Sequence, residues 1–472
     1  MNEVDLVVIG AGPVGENVAD RAAQGGLKTV IVESELVGGE CSYWACMPSK
    51  ALLRSPQALH DAEAVPGAAE AVTGRLDVAA VLRRRDAFVS GWSDGGQVAW
   101  LESAGIELLR GHGRLSGERE VTVTAEDGTA TVVRARHAVA LATGSVANIP
   151  RIPGLREARP WTSREATSAK SAPESLAVIG GGVVAAEMAA AYAAFGTEVT
   201  IVARSGLLDG FEDFAGEHVA ESLRAQGVTI MTGTETRRVE RTGEGVRLET
   251  DRGEVRAAEL LVATGRSPAT GDVGLEHVGV EPGSRLRTDD TLLVDGFDWL
   301  YAVGDVNGRS LVTHQGKYQA RAAGDVIAAR AAGRPVDDAP WGAHVATADH
   351  GAVPQVVFTD PEIASVGPTA EQARENGKKI RVVDYDLGAV AGASLSRDGY
   401  KGAARMVVDE GRGVMIGATF VGPGVAELVQ TATTAIVGEV PIDRLWHAVP
   451  AFPSMSEIWL RLLEEYGRPA GT

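Results

Sequence analysis

Basic charge is what this chain has too little of. Its 45 Lys and Arg residues face 63 Asp and Glu, a formal net charge of −18 at pH 7. That imbalance argues against a nucleic-acid partner and against an anionic-membrane partner. Cysteine is scarcer, with 2 in 472 residues. One pair cannot build the disulfide framework of a small secreted protein. No apolar run approaches the ~18 residues of a membrane span. Met1-Asn2-Glu3-Val4-Asp5 leads into a strand at once, with no basic segment or apolar signal core. The expected location is therefore the cytoplasm, with no membrane partner. What the chain does have is size: 472 residues, 44% of them hydrophobic, suit about three domains.

The two cysteines lie together in Gly38-Gly39-Glu40-Cys41-Ser42-Tyr43-Trp44-Ala45-Cys46-Met47-Pro48-Ser49-Lys50. On an ideal helix, residues five apart have Cα atoms roughly 8–9 Å apart. A disulfide tolerates about 4.4–6.8 Å. A Cys41–Cys46 bridge therefore needs a distorted first turn, and a strained, accessible bridge is a reducible one. Gly38 and Gly39 let the backbone approach something flat and bulky. Lys50, one turn after Cys46, favours a thiolate there.

Ahead of this segment, Leu6-Val7-Val8-Ile9 reads as a strand buried on both faces. Gly10-Ala11-Gly12-Pro13-Val14-Gly15 follows, then a helix through Ala23, then the strand Thr29 to Val32 ending in Glu33. This is GxGxxG between strand and helix, with an acid about 20 residues on. Gly10, Gly12 and Gly15 permit close approach of a pyrophosphate to the helix N-terminus, and Glu33 suits a ribose 2′-hydroxyl. Ala138 to Gly144 reads as a strand closing in Ala142-Thr143-Gly144. The pattern then repeats. Leu176 to Ile179 is a strand, Gly180-Gly181-Gly182-Val183-Val184-Ala185 fits GxGxxA, Glu187 opens the next helix, and Ala263-Thr264-Gly265-Arg266 closes the second half. A duplicated fingerprint means two nucleotides, one per half.

The cysteine motif GGxCxxxxCxPSK resembles that of the class I pyridine nucleotide-disulfide oxidoreductases, which include dihydrolipoamide dehydrogenase, glutathione reductase and mercuric reductase. The resemblance covers nearly the whole chain. It implies an α/β fold of two Rossmann-like dinucleotide-binding domains plus an α+β C-terminal dimerisation domain. Residues 1–150 would be the first part of the FAD domain, 151–270 the NAD(P) domain, 271–345 the rest of the FAD domain, and 346–472 the interface domain of a homodimer. FAD would face the cysteine pair, touching Gly39, Lys50, Thr143, Gly144 and Asp305. The second nucleotide would lie against Gly180, Gly182, Gly265 and Arg266. Glu187 would pair with Lys50 beside the flavin. Cys46 would be the flavin-side sulfur of a redox-active disulfide, and Cys41 the exchange thiol. The helix expected from Gly316 to Ala332 would point at the flavin, with His314 just before it either touching flavin or serving as an ordinary loop histidine. No resident metal is expected.

Departures from the pattern sharpen the expectations. Where NAD-specific relatives end the second strand of the nucleotide half in an acid, this chain has Ala203 and then Arg204. A cation there suits a 2′-phosphate, so NADPH is favoured, with NADH possible. Disulfide reductases of this family end in His-Pro-x-x-x-Glu. Here the register reads Phe452-Pro453-Ser454-Met455-Ser456-Glu457. Phenylalanine carries no proton, so the acid-base of the resembling enzymes is missing, while Glu457 keeps its place. No cysteine pair near the end replaces it in the manner of mercuric reductases. His447 is a possible substitute, or a structural residue. Tyr43 and Trp44 either shape the acceptor pocket or pack locally. The acceptor is a small disulfide or, reduced from the flavin itself, a quinone or metal ion.

Overall fold

The computed structural model describes residues 2–468. Two compact units account for them. The first gathers the segments up to Pro48, from Arg85 to Asn148 and from Arg266 to Asp349; the second gathers Ser49–Arg84, Ile149–Gly265 and the residues from His350 on.

In the first unit the strands Asn2–Ile9, Thr29–Glu33 and Glu107–Arg110 run parallel, and Ala130–Leu141 pairs on the other side of Asn2–Ile9. The far edge of that long strand takes Leu300–Ala302 in parallel and Glu120–Thr124 antiparallel, with His112–Gly117 outermost. Leu6 to Ile9 are at most 4% exposed, and alternate residues go to opposite faces. Leu6 and Val8 pack with Val18, Ala22 and Ile327. Val7 and Ile9 pack with Leu115, Val121 and Trp299. Burial of this kind gives about 1.5–3 kcal/mol per large side chain, so the β-branched run forms the centre of the sheet. The helices Pro13–Gln24 and Thr313–Ala331 cover one face.

The second unit holds a four-stranded parallel sheet in the order Thr229–Met231, Glu198–Val202, Ser175–Ile179, Glu259–Val262. Its helix Val183–Ala194 is almost wholly buried, which explains an alanine-rich sequence with no polar face. A three-stranded antiparallel ribbon spans Thr236 to Ala257. Residues 354–422 form a five-stranded antiparallel sheet, backed by the helices Leu428–Val437 and Glu457–Tyr466. The last helix buries Ile458, Trp459, Leu462 and Leu463, with Trp459 edge-on to Phe420 at 5.2 Å. No helix among the described residues is long and apolar enough to cross a membrane.

Two element boundaries differ from expectation. The helix expected from Gly316 starts at Thr313, so His314 lies inside its first turn. Glu187 is the fifth residue of its helix, not the first.

Candidate functional site

In the first unit the glycine loop is shaped as a cradle. Gly10 has φ +100°, and a Cβ there would sit 2.5 Å from the Ala142 carbonyl oxygen. Gly12 caps the Pro13–Gln24 helix without a side chain, and a Cβ on Gly15 would fall 1.9 Å from the Gly10 carbonyl oxygen. A Cβ on Gly39 would come within 2.8 Å of the Gly12 Cα, so the cysteine segment starts against this loop. Glu33 accepts hydrogen bonds from the Ala11 N–H at 2.7 Å and the Glu35 N–H at 2.8 Å. Burial pushes its carboxyl above the ordinary range despite those bonds. The donors, the bare loop and the acid at the strand end fit a dinucleotide.

Thr143 and Gly144 hold protein as well as shaping the loop. The Thr143 hydroxyl donates to the Ala269 carbonyl at 2.9 Å, and the Gly144 carbonyl accepts from the Ala269 N–H at 3.0 Å. Ser145–Ala147 pairs antiparallel with Arg266–Pro268. Arg266 therefore belongs with the first unit and not with the second nucleotide half. The chain crosses to a new ribbon directly after Gly265, and Arg266 meets Ser145 and Glu40 there. Its Nη2 donates to Glu40 Oε2 at 2.6 Å, and its Nε donates to Ser145 Oγ at 2.7 Å. Ser145 donates in turn to Asp305 Oδ2 at 2.6 Å. Burial drives the Asp305 carboxyl up, opposed by Ser145 and Arg266 and reinforced by the Glu40 charge.

The cysteines do not share one helix. A short helix, Gly39–Tyr43, carries Cys41 and stops at Trp44, whose φ of −137° and ψ of 0° are not helical. A new helix starts at Cys46. This break is the distortion that the five-residue spacing requires. Both residues are thiols here, not bridged. Their side chains interact, and the hydrogen bond with Cys46, followed by burial, drives the Cys41 thiol far above its ordinary value. The Thr313 hydroxyl lies 3.4 Å from the Cys46 sulfur, at the first residue of a 19-residue helix whose N-terminal dipole favours anions. Sequence reasoning missed Thr313 because it started that helix three residues late. Tyr43 packs locally: it is buried and donates to the Val37 carbonyl at 3.1 Å. Trp44 stacks edge-on against it at 5.7 Å.

In the second unit a Cβ on Gly180 (φ +127°) would meet the Ala263 carbonyl oxygen at 2.2 Å, whereas one on Gly182 would meet nothing within 4 Å. The loop thus closes on the sheet and leaves its outer side bare at the helix start, as a pyrophosphate needs. Gly265, with φ +100°, turns the chain out of this unit. Arg204 and Ser205, past the end of Glu198–Val202, are exposed. Glu187, 3% exposed, accepts two bonds from Lys50 Nζ at 2.8 and 3.0 Å and one from the Phe358 N–H at 3.0 Å. The Lys50 ammonium also lies 4.8 Å from the centre of the Phe358 ring. A buried carboxylate with this many donors holds its lysine in one place.

Near the end of the chain, Phe452 is 76% exposed. His447 is exposed too. Glu457 is buried and takes a bond from Arg461 Nη2 at 2.6 Å, one helical turn on. One oxygen of this carboxylate pairs along its own helix, while the other, Oε2, is buried with no hydrogen-bond partner.

Residues 4–330 match the family model of the pyridine nucleotide-disulphide oxidoreductases, and residues 353–462 match the dimerisation domain of that family. The chain is 32% identical to a mercuric reductase of Acidithiobacillus ferrooxidans, over 97% of this chain and 81% of that protein. It is 33% identical to a dihydrolipoyl dehydrogenase of Haloferax volcanii, over 98% of this chain and 95% of that one. Among solved structures it is similar to LpdA of Mycobacterium tuberculosis, with a TM-score of 0.83, 25% identity and coverage of 99% and 100%. Cradle, dithiol and domain matches agree, and the chain belongs to the FAD-dependent pyridine nucleotide-disulphide oxidoreductases.

Proposed function

We propose that this enzyme passes electrons from NADPH through FAD to the Cys41–Cys46 pair and on to a small disulfide. The observation that carries the proposal is the pair itself, two interacting thiols with Thr313 at a helix N-terminus beside them. FAD, when bound, supplies the two-electron relay between nicotinamide and sulfur. The protein's part is to keep Cys46 anionic, through Thr313 and the helix dipole, and to keep Cys41 protonated. Disulfide exchange would then proceed as the Cys41 proton passes to the first departing acceptor thiolate: the Cys41 sulfur forms a mixed disulfide while the acceptor S–S bond breaks, and a resolving attack by the Cys46 thiolate on Cys41 re-forms the Cys41–Cys46 bond and expels the acceptor's second thiolate. In this reading FAD occupies the glycine cradle of the first unit with Glu33 and Asp305. NADPH occupies that of the second unit with Arg204 toward its 2′-phosphate. The active form is a cytoplasmic homodimer joined through the C-terminal domain.

Phe452 and the Glu457–Arg461 pair favour a second reading, in which a quinone or a metal ion takes electrons from the flavin. Such an acceptor needs no histidine to protonate a leaving thiolate. Steady-state NADPH oxidation with panels of disulfides and quinones, in wild type and Cys41→Ser, separates the two. Disulfide turnover that falls by more than about 100-fold in the variant supports the first, since thiol-disulfide exchange cannot proceed without the attacking sulfur. Quinone turnover untouched by the substitution, with no disulfide turnover in wild type, would sink it.

A further inference from the structure

Lys50 is held by more than Glu187. Lys50, Gln57 and Ala64 stand seven residues apart, so they lie on one side of their helix, and each meets the C-terminal part of the chain. Gln57 donates to Glu362 at 3.3 Å, and the Ala64 carbonyl accepts from the Asp398 N–H at 3.1 Å. At Lys50 the contact is Phe358, which touches both members of the ion pair. The Lys50 ammonium lies over the Phe358 ring, 4.8 Å from its centre, and the Phe358 N–H donates to Glu187 Oε1 at 3.0 Å. Lysine carries a compact charge on a flexible stem, and the Lys50 side chain is 35% exposed, so one carboxylate leaves part of the ammonium to water. The negative face of a ring attracts the cation on a further side without competing with Glu187 for it as a proton acceptor. The N–H bond meanwhile fixes the carboxylate. Phe358 lies inside the segment that matches the dimerisation domain, a segment to which the sequence assigned no part in the redox site beyond Glu457. We infer that Phe358 is a positioning residue for Lys50, through which the C-terminal domain orients the ammonium.

The inference rests on the reading that this lysine lies beside the flavin, but its test reads the lysine itself. In the FAD-loaded protein, acetic anhydride labels only neutral amines. Labelling of Lys50 is followed by mass spectrometry across about pH 8–11, with the exposed Lys401 as internal standard. Phe358 is replaced by phenylalanines carrying one, two and three ring fluorines, which keep the shape of the ring and drain its negative face. Lys50 labelling at a fixed pH is expected to rise stepwise along the series, to about two- to fivefold, the size of a cation–ring contact at a partly exposed site. The midpoint should move to lower pH. Phe358→Leu is expected to move it the same way, and Phe358→Tyr to keep the parent midpoint. A side chain that only fills space would leave the midpoint unmoved by fluorine, and that result overturns the proposal, including where Phe358→Leu fails to fold. Should Lys50→Met leave the flavin absorption spectrum unchanged, the reading of Lys50 as a neighbour of the flavin falls, while the fluorine series still judges Phe358.

Discussion

The first and second units each hold a glycine loop that closes on a parallel sheet, yet their second strands end in opposite charge. After Thr29–Val32 comes Glu33, already engaged by the Ala11 and Glu35 N–H groups. After Glu198–Val202 come Ala203, 1% exposed, and the exposed cation Arg204. The loops are alike because the backbone demands it: Gly10 and Gly180 both have positive φ, and a Cβ on either would strike a carbonyl oxygen of the facing turn. The strand ends differ in charge, and in the proposed function each lies toward the adenosine ribose of its nucleotide. The shared geometry is that of a nucleotide cradle, and the proposed choice of nucleotide in the second unit rests on one charge, Arg204.

The largest effects come from breaking the shared part. Gly10→Ala forces a side chain into left-handed backbone and into the Ala142 carbonyl, at a cost of about 2–4 kcal/mol. The purified protein should lack its yellow flavin and melt lower. Gly180→Ala should retain the flavin absorbance but lose pyridine-nucleotide binding by titration. If both variants lose flavin alike, the two cradles are not separate sites. The next effect comes from reversing the part that differs. A charge-assisted contact is worth about 1.5–3 kcal/mol, so Arg204→Asp should lower the preference for NADPH over NADH about 10–100-fold. An unchanged ratio of kcat/KM values would show that Arg204 does not read the 2′ position.

The glycine fingerprints were legible because their requirement is local, a positive φ and a close approach within one turn. So was the Lys50–Glu187 pair, through family resemblance across 137 residues. Three features depend on more than the local sequence. Thr313 begins its helix after Val312 with no side-chain cap to mark the start, so the sequence offered Gly316 instead. Arg266 follows the second closing turn in chain order, but strand pairing with Ser145–Ala147 carries it into the first unit. Glu457 was assigned from a motif whose histidine is absent, and its pairing with Arg461, four residues on, follows from helical spacing. Local conformation can be read from one turn of sequence, whereas the partner of a long polar side chain depends on where a distant segment returns.

The smallest effect sharpens the comparison through pH. Burial holds the Glu33 carboxyl above its ordinary value of 4.5 in the ligand-free protein. A group whose pKa is raised on folding contributes its stability below the unfolded pKa and loses it as pH rises through the folded one. Ionised Glu33 is therefore a net cost to the apoprotein at neutral pH. Glu33→Gln should stabilise the apoprotein by less than about 1 kcal/mol at pH 7, with the gain vanishing below about pH 4.5. The same variant should bind FAD more weakly, because an amide accepts a ribose hydroxyl less strongly than a carboxylate. Arg204→Gln, at an exposed strand end, should change apoprotein stability equally at both pH values. Denaturant titrations of the two variants at pH 4.5 and pH 7 make the check. A Glu33→Gln difference that does not depend on pH would mean the buried carboxylate is compensated without its ligand, and the first cradle would then be no more committed to a nucleotide than the second.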